Sequence, residues 1–322
     1  MKIKIITLVF ICIFKICLSQ VAVGDGYFGT GSVGSLNDDD IERLKKTTTL
    51  FVVPNHEKDK LEEYRNAITP IWFFNPIDFL TEDEVASYKK KPGEYSYFFV
   101  DIYYIPYRGD LFYNFGYHLP YLHKGKKERL LRVAYIPLYT EFKAYQVKVN
   151  NIKEPDKEIM EAYNSCTVYN FTPAHMKCFL SVVSANLLGK TTHWIQNENE
   201  VIDDTKTLTD LSNDTLFIPN YVNSNPNNLD ESYGIAGEKE LMKDYKFKYK
   251  FLNAEEFENK IVNSTKPMFV FTYSYVHNNQ KSYTILNPRS GQIIYSHFEM
   301  NNKISSKDFS KISKKIEKVI GK

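Results

Sequence analysis

The chain has 322 residues, 41 of them basic and 39 acidic, and the resulting formal charge of +2 gives no electrostatic case for nucleic acid. Its 4 cysteines are too few for a disulfide scaffold, so a packed core must carry the stability, and a chain of this length can bury one. The composition stands out only in its aromatics, with 24 tyrosines, 22 phenylalanines and 2 tryptophans.

Residues 1–20 read as a secretory signal. Lys2 and Lys4 open it, an apolar run covers 5–14, and Leu18-Ser19-Gln20 supplies a small residue at a cleavage point. The run is shorter than the roughly 20 apolar residues that span a bilayer, and Lys15 interrupts it. Removing Lys2, Lys4 and Lys15 takes 41 basic residues to 38 against 39 acidic, a net charge of −1. Residues 21–46 read as a flexible leader. Gly24-Asp25-Gly26-Tyr27-Phe28-Gly29 matches the dinucleotide fingerprint as a string, but neither a preceding strand nor a following helix is predicted. Asp38-Asp39-Asp40 lacks the alternating ligands of a calcium loop and reads as solvated charge.

A first α/β unit is expected over 47–150. It has a buried strand ending at Pro54, a helix over 56–68, a strand at Trp72-Phe73-Phe74, and a turn opened by Thr81 with Glu84 three residues on, a capping box. A long aromatic strand over 95–104 follows, then a hairpin of strands over 111–122 and 129–138 with the basic tip Lys124-Gly125-Lys126-Lys127. His118 and His123 are expected near that tip, exposed. Residues 151–200 form a helical connector. Thr172-Pro173 is an N-cap and N1 pair, Phe179, Val182, Val183 and Leu187 share one face, and Gly189 is the stop. After signal cleavage Cys166 and Cys178 are the remaining cysteines. In an oxidising compartment they either form a disulfide or pack as two buried thiols.

The second unit spans 201–322 and repeats the first. Thr49-Leu50-Phe51-Val52-Val53-Pro54-Asn55 returns as Thr215-Leu216-Phe217-Ile218-Pro219-Asn220, Phe79-Leu80 as Phe251-Leu252, and Phe98 to Asp101 as Phe269 to Thr272. Asn253 with Glu256 repeats the capping box with a different cap residue, preserving a physical role rather than an identity. Asn287-Pro288-Arg289-Ser290-Gly291 is a hairpin turn, and 305–320 is an amphipathic helix with Phe309, Ile312, Ile316 and Ile320 on one face. The fold class is therefore α/β with mixed sheets: two similar lobes from an internal duplication, with a helical segment between them. Superposition is expected to bring Leu50 onto Leu216 and Phe79 onto Phe251.

No metal site, nucleophile elbow or phosphate loop is written in the chain, and no cofactor is implied. His175 and Cys178 lie three apart on a helix, but spacing alone does not make a thiol protease. Tyrosine on a wet sheet face stacks on sugars or seats a protein partner, whereas cross-strand aromatic pairing is the structural alternative. The candidate ligand surface is Tyr97, Tyr103, Tyr107, Tyr113 and Tyr117. The openings of the two units, the 64–72 stretch and the 79–88 segment resemble those of uncharacterised exported proteins of Bacteroidota. The resemblance covers most of the mature chain, implies a periplasmic or outer-envelope location, and brings no catalytic residue. The expectation is an exported, non-enzymatic protein that binds a small molecule, a glycan or an envelope protein. The alternative is a hydrolase assembled from distant residues.

Overall fold

The computed structural model describes residues 21–26, 33–34, 36–88, 91–105, 110–123, 127–141, 144, 155–191, 200–201, 205–224, 237–277, 280–299, 301 and 303–321. The expected signal, residues 1–20, and the basic tip, 124–126, lie outside them.

The first unit runs β1 (Ala22–Val23), β2 (Asp25–Gly26), β3 (Val33–Gly34), α1 (Asp38–Lys45), β4 (Thr48–Val53), α2 (Leu61–Ile68), β5 (Ile77–Thr81), β6 (Tyr95–Ile105), β7 (Asp110–His123) and β8 (Lys127–Pro137). The helices α3 (Pro155–Asn164) and α4 (Pro173–Gly189) follow. The second runs β9 (Glu200–Val201), α5 (Thr205–Leu211), β10 (Leu216–Pro219), α6 (Tyr221–Ser224), α7 (Glu238–Leu241), β11 (Tyr249–Leu252), α8 (Ala254–Val262), β12 (Phe269–His277), β13 (Gln280–Leu286), β14 (Ile293–Glu299) and α9 (Ser306–Val319).

Two sheets share one topology. Their strand orders are β5-β4-β6-β7-β8-β1 and β11-β10-β12-β13-β14-β9, and β2 and β3 form a separate pair. In each sheet the first three strands are parallel, the third to fifth form an antiparallel meander, and a two-residue edge strand from the start of the unit closes the far side. Both capping boxes are present, at Thr81–Glu84 and Asn253–Glu256. The duplication therefore holds as topology.

Its residue pairing differs from the sequence expectation. Setting the cap residues Thr81 and Asn253 together places Phe79 on Phe251. The ladders then carry Phe51, opposite Phe79, onto Ile218, opposite Phe251. Thr49 thus falls on Leu216, and Leu50 on Phe217. Side chains along a strand alternate faces, so this one-residue slip decides orientation. Leu50 faces away from the helix layer, in a cluster with Val52, Leu80, Val85 and Tyr97, whereas Leu216 faces α5 and α9. By the same ladders Phe98 corresponds to Phe271, not Phe269.

Three further expectations change. Residues 21–24 are buried and β1 pairs with β8, so the leader contributes an edge strand, and α1 seats Ile41 and Leu44 in the core. Trp72 to Phe74 is not a strand. Trp72 and Phe74 point into the core, Phe73 is 68% exposed, and the strand comes later, at β5. The connector helix α4 is a layer, not a linker. It is apolar around its circumference, as a helix buried on all sides must be, and residues 173–184 are all buried. One side packs on α2 and the first sheet. The other packs on α8 and the back of the second sheet, in one continuous core with Phe257, Ile261, Val270, Leu286 and Ile293. Lys177 Nζ donates to the Ile261 and Val262 carbonyls at the C-terminus of α8, at 3.0 and 2.8 Å. The αL stop residue is Lys190, one past Gly189.

The helix at the same place in the second unit, α9, closes that unit's outer side. Aligned on their N-caps Thr172 and Ser305, Met176, Phe179 and Val183 of α4 match the buried Phe309, Ile312 and Ile316 of α9. At the positions where α4 turns Ala174, Cys178 and Ser181 toward the second unit, α9 carries Lys307, Lys311 and Lys314. The molecule is thus sheet, helix layer, sheet, helix layer, with a polar terminal helix of the kind that ends a stack of repeats.

Candidate functional site

Each sheet has one face under its own helix layer and one opposite face. In the second unit the opposite face is closed: α8 covers part of it, and α4 together with strands β7 and β8 of the first unit seals the rest. In the first unit the counterpart of α8 is a single 3-10 turn, Glu82–Ser87. Val85 stands at the fourth position after the cap, where Phe257 stands in α8. A shorter turn and a smaller side chain leave volume uncovered. A trough of about 380 Å³ lies here, lined by Val52, Val85, Tyr97, Phe99, Pro120 and Leu130, with Glu82 as its charged lining residue. Leu130 is 49% exposed.

Strand register makes this face continuous. Tyr97 pairs with His118 and His118 with Arg132; Pro120 pairs with Leu130, Phe99 with Gly116, and Asp101 with Asn114. All share one side of the sheet. Along β6 the face passes from Tyr97 and Phe99 to Asp101 and Tyr103, so its apolar end runs into a polar end. There a cavity of about 10 Å³ is lined by Asp101, Tyr103, Asn114, His118, Arg132 and Tyr135, among others. Phe99 stacks on His118 with ring centroids 4.6 Å apart, forming the wall between the two ends. The imidazole folds back over Gly116, where any Cβ would overlap Nε2.

The polar end is electrostatically balanced. Asp101 Oδ2 lies 3.9 Å from Arg132 Nη2 and 3.6 Å from His118 Nε2, the latter too long for a hydrogen bond. Burial pushes the Asp101 carboxyl up against the opposing pull of Arg132. Burial, reinforced by Arg132, holds His118 down to about 3, so its ring is neutral at physiological pH. His118 is 2% exposed and Asn114 3%. Both His118 ring nitrogens and Asn114 Oδ1 have no hydrogen-bond partner among the described residues.

The second unit shows what this site replaced. Through the ladders His118 and Arg132 correspond to Leu286 and Ile293, and Asp101, Asn114, Gly116 and Tyr135 to Ser274, Ser282, Thr284 and Ser296. There the two aliphatic residues pack against α4, and the hydroxyl residues are small enough for the first unit to approach, as when Ser274 Oγ donates to the Pro137 carbonyl at 3.1 Å.

The five tyrosines predicted as a ligand surface do not lie together. Tyr97 and Tyr103 are on the open face. Tyr107 lies outside the described residues. Tyr113 and Tyr117 are on the opposite face, in the core: Tyr113 Oη donates to the Ala144 carbonyl at 2.6 Å, and Tyr117 Oη sits in a buried network with Thr49 and Ser96. Strand alternation separates them. Cys166 and Cys178 are both buried thiols, not joined in a disulfide: Cys166 Sγ donates to the Tyr163 carbonyl, and burial pushes the Cys178 thiol up. His175 is sealed against Phe257 and Tyr221 and held down to about 3 by burial, so the pair with Cys178 has neither an accessible base nor a thiolate. Asn170 is wholly buried, its Oδ1 accepting from Tyr139 N and its Nδ2 donating to the Pro137 carbonyl. The trough itself escaped sequence reading. Its one sequence signal is Val85 where the repeat places Phe257.

Among the described residues no helix is long and apolar enough to cross a membrane, and no three His, Cys, Asp or Glu side chains are grouped to hold a metal. Comparison with protein-family models, with curated proteins and with solved structures found no match.

Proposed function

We propose that this chain is an exported, non-catalytic binding protein whose ligand occupies the trough on the first sheet. Export rests on the signal-like residues 1–20. Binding rests on one observation: of two topologically equivalent sheet faces, one is sealed by α4, α8 and the first unit's strands β7 and β8, and the other is left uncovered over an apolar trough of about 380 Å³. That volume is at the small end of the usual range for ligand pockets, about 300–1,000 Å³. The hydrolase alternative would need a nucleophile beside a base. Among the described residues no serine, threonine or cysteine lines the polar end, and His118 and Asp101 are not hydrogen-bonded to one another.

The test is Val85→Phe, which puts back the bulk that the second unit has at this position. In the unchanged protein the fluorescent apolar reporter N-phenyl-1-naphthylamine should bind once per chain. In Val85→Phe its affinity should fall at least tenfold with no loss of thermal stability, because the ring enters space that is already open. Equal affinity in the two proteins would place binding elsewhere. N-terminal sequencing of the protein from its host tests export, and an intact Met1 would contradict it.

A further inference from the structure

We infer that the polar end of the trough recognises a single uncharged hydroxyl group on the end of an apolar ligand. The inference rests on the reading of the trough as the ligand site and adds what that ligand must be. Asn114 Oδ1 and the ring nitrogens of His118 are buried without partners among the described residues. Leaving such groups unpaired is costly, so something is expected to meet them. The neutral imidazole offers one donor and one acceptor, and Asn114 Oδ1 offers an acceptor. A hydroxyl both donates and accepts, and so can donate to Asn114 Oδ1 while accepting from the ring N–H of His118.

Charge and size narrow the choice. Asp101 and Arg132 face the same cavity with opposite signs 3.9 Å apart. A carboxylate head would meet Asp101, and an ammonium head would meet Arg132. The cavity of about 10 Å³ has room for one oxygen-sized group, not for a phosphate or a sugar. The neighbouring trough takes the apolar body, and the Phe99–His118 stack stands as the wall between the two compartments. The second unit supports the assignment by contrast. Where the face is sealed by protein, the positions of His118 and Arg132 hold Leu286 and Ile293, which pack in the core.

The experiment uses three probes with the same ten-carbon chain, 1-decanol, decanoate and decylammonium, displacing N-phenyl-1-naphthylamine from the full-length protein at pH 7.5. An alkanol enters any apolar site more readily than an ion does, so variants carry the test. The variants are His118→Leu and Asn114→Ser, which install the residues the second unit already folds with. Decanol should displace the reporter at a concentration at least tenfold lower than either ion. Each variant should weaken decanol at least fivefold more than it weakens the reporter. Preference for a charged head would overturn the inference. So would decanol binding that is unchanged in both variants, the outcome expected if a trapped water alone satisfies these groups. Failure of the reporter to bind the unchanged protein would instead refute the trough as the site.

Discussion

Gly291→Ala tests whether α4 is pinned between the two units. Gly291 closes the β13–β14 hairpin at φ +70°, and a Cβ built there would overlap the Ser181 carbonyl and the Val182 nitrogen of α4. Those atoms are helix backbone and cannot swing aside. The left-handed conformation costs a residue with a Cβ about 1–2 kcal/mol, and forcing a methyl into a filled contact adds about 1–3 kcal/mol. The expected loss is about 2–5 kcal/mol in urea unfolding followed by far-ultraviolet circular dichroism, with an unchanged m-value. Gly93→Ala is the control: Gly93 has φ +86° but nothing within 4 Å of its added Cβ, so it should lose only the conformational cost. Since one core cluster joins both sheets through α4, each variant should unfold in a single transition. If Gly291→Ala proved no more costly than Gly93→Ala, the close docking of the second unit on α4 would be refuted.

Acid should weaken the fold through two buried histidines. His118 and His175 are each held down to about 3, by burial in both cases, whereas the unfolded chain binds protons near 6.5. The unfolded state then carries more protons, so the stability present above pH 6.5 falls by up to about 1.4 kcal/mol per pH unit for each histidine as the pH drops toward 3. The raised carboxyls Asp101 and Glu258 act in the opposite sense as the pH falls, so the slope of the urea midpoints below pH 6.5 is the histidine contribution less theirs. His118→Leu should halve the histidine contribution, and a flat profile in the unchanged protein would contradict it. The anchor of α9 gives a further prediction. Lys281 Nζ and Asp308 Oδ2 form a 2.8 Å pair with both side chains 1% exposed. Asp308→Ala leaves that ammonium short of its buried partner and removes the cap on Ser305, so a loss of about 3–5 kcal/mol is expected. Joint replacement by Lys281→Met and Asp308→Leu should cost less than Asp308→Ala alone, as read from urea midpoints.

The parts of this fold that the sequence made legible are those fixed by local chemistry. Thr81–Glu84 and Asn253–Glu256 place both caps, Thr172-Pro173 starts α4, and the Asn287 to Gly291 turn joins β13 to β14, because each is settled within a few residues. Parity was not legible. The matched phrase after Thr49 and Thr215 invites Leu50 onto Leu216, yet strand pairing sets the halves one residue apart and turns those leucines to different faces. The same blindness hid the site. β6 and β7 are aromatic on both sides, so nothing local distinguishes Tyr97 on the open face from Tyr117 in the core. His118, beside Pro120, reads as part of an exposed tip because its burial comes with Phe99, which stacks on it from the paired strand β6. The seamless apolarity of α4 likewise becomes intelligible only once sheets are seen on both sides of it.

The claim that two equivalent faces have diverged, one sealed and one open, is tested most directly by hydrogen exchange with and without saturating 1-decanol. Before ligand is added, amides of 254–262 should exchange far more slowly than those of 82–87, and ligand should slow 82–87 and the strand positions around 97–101 and 130–132 while leaving 254–262 and 270–274 unchanged. Equal protection of both segments before ligand, or ligand protection appearing on the second unit's face, would contradict it.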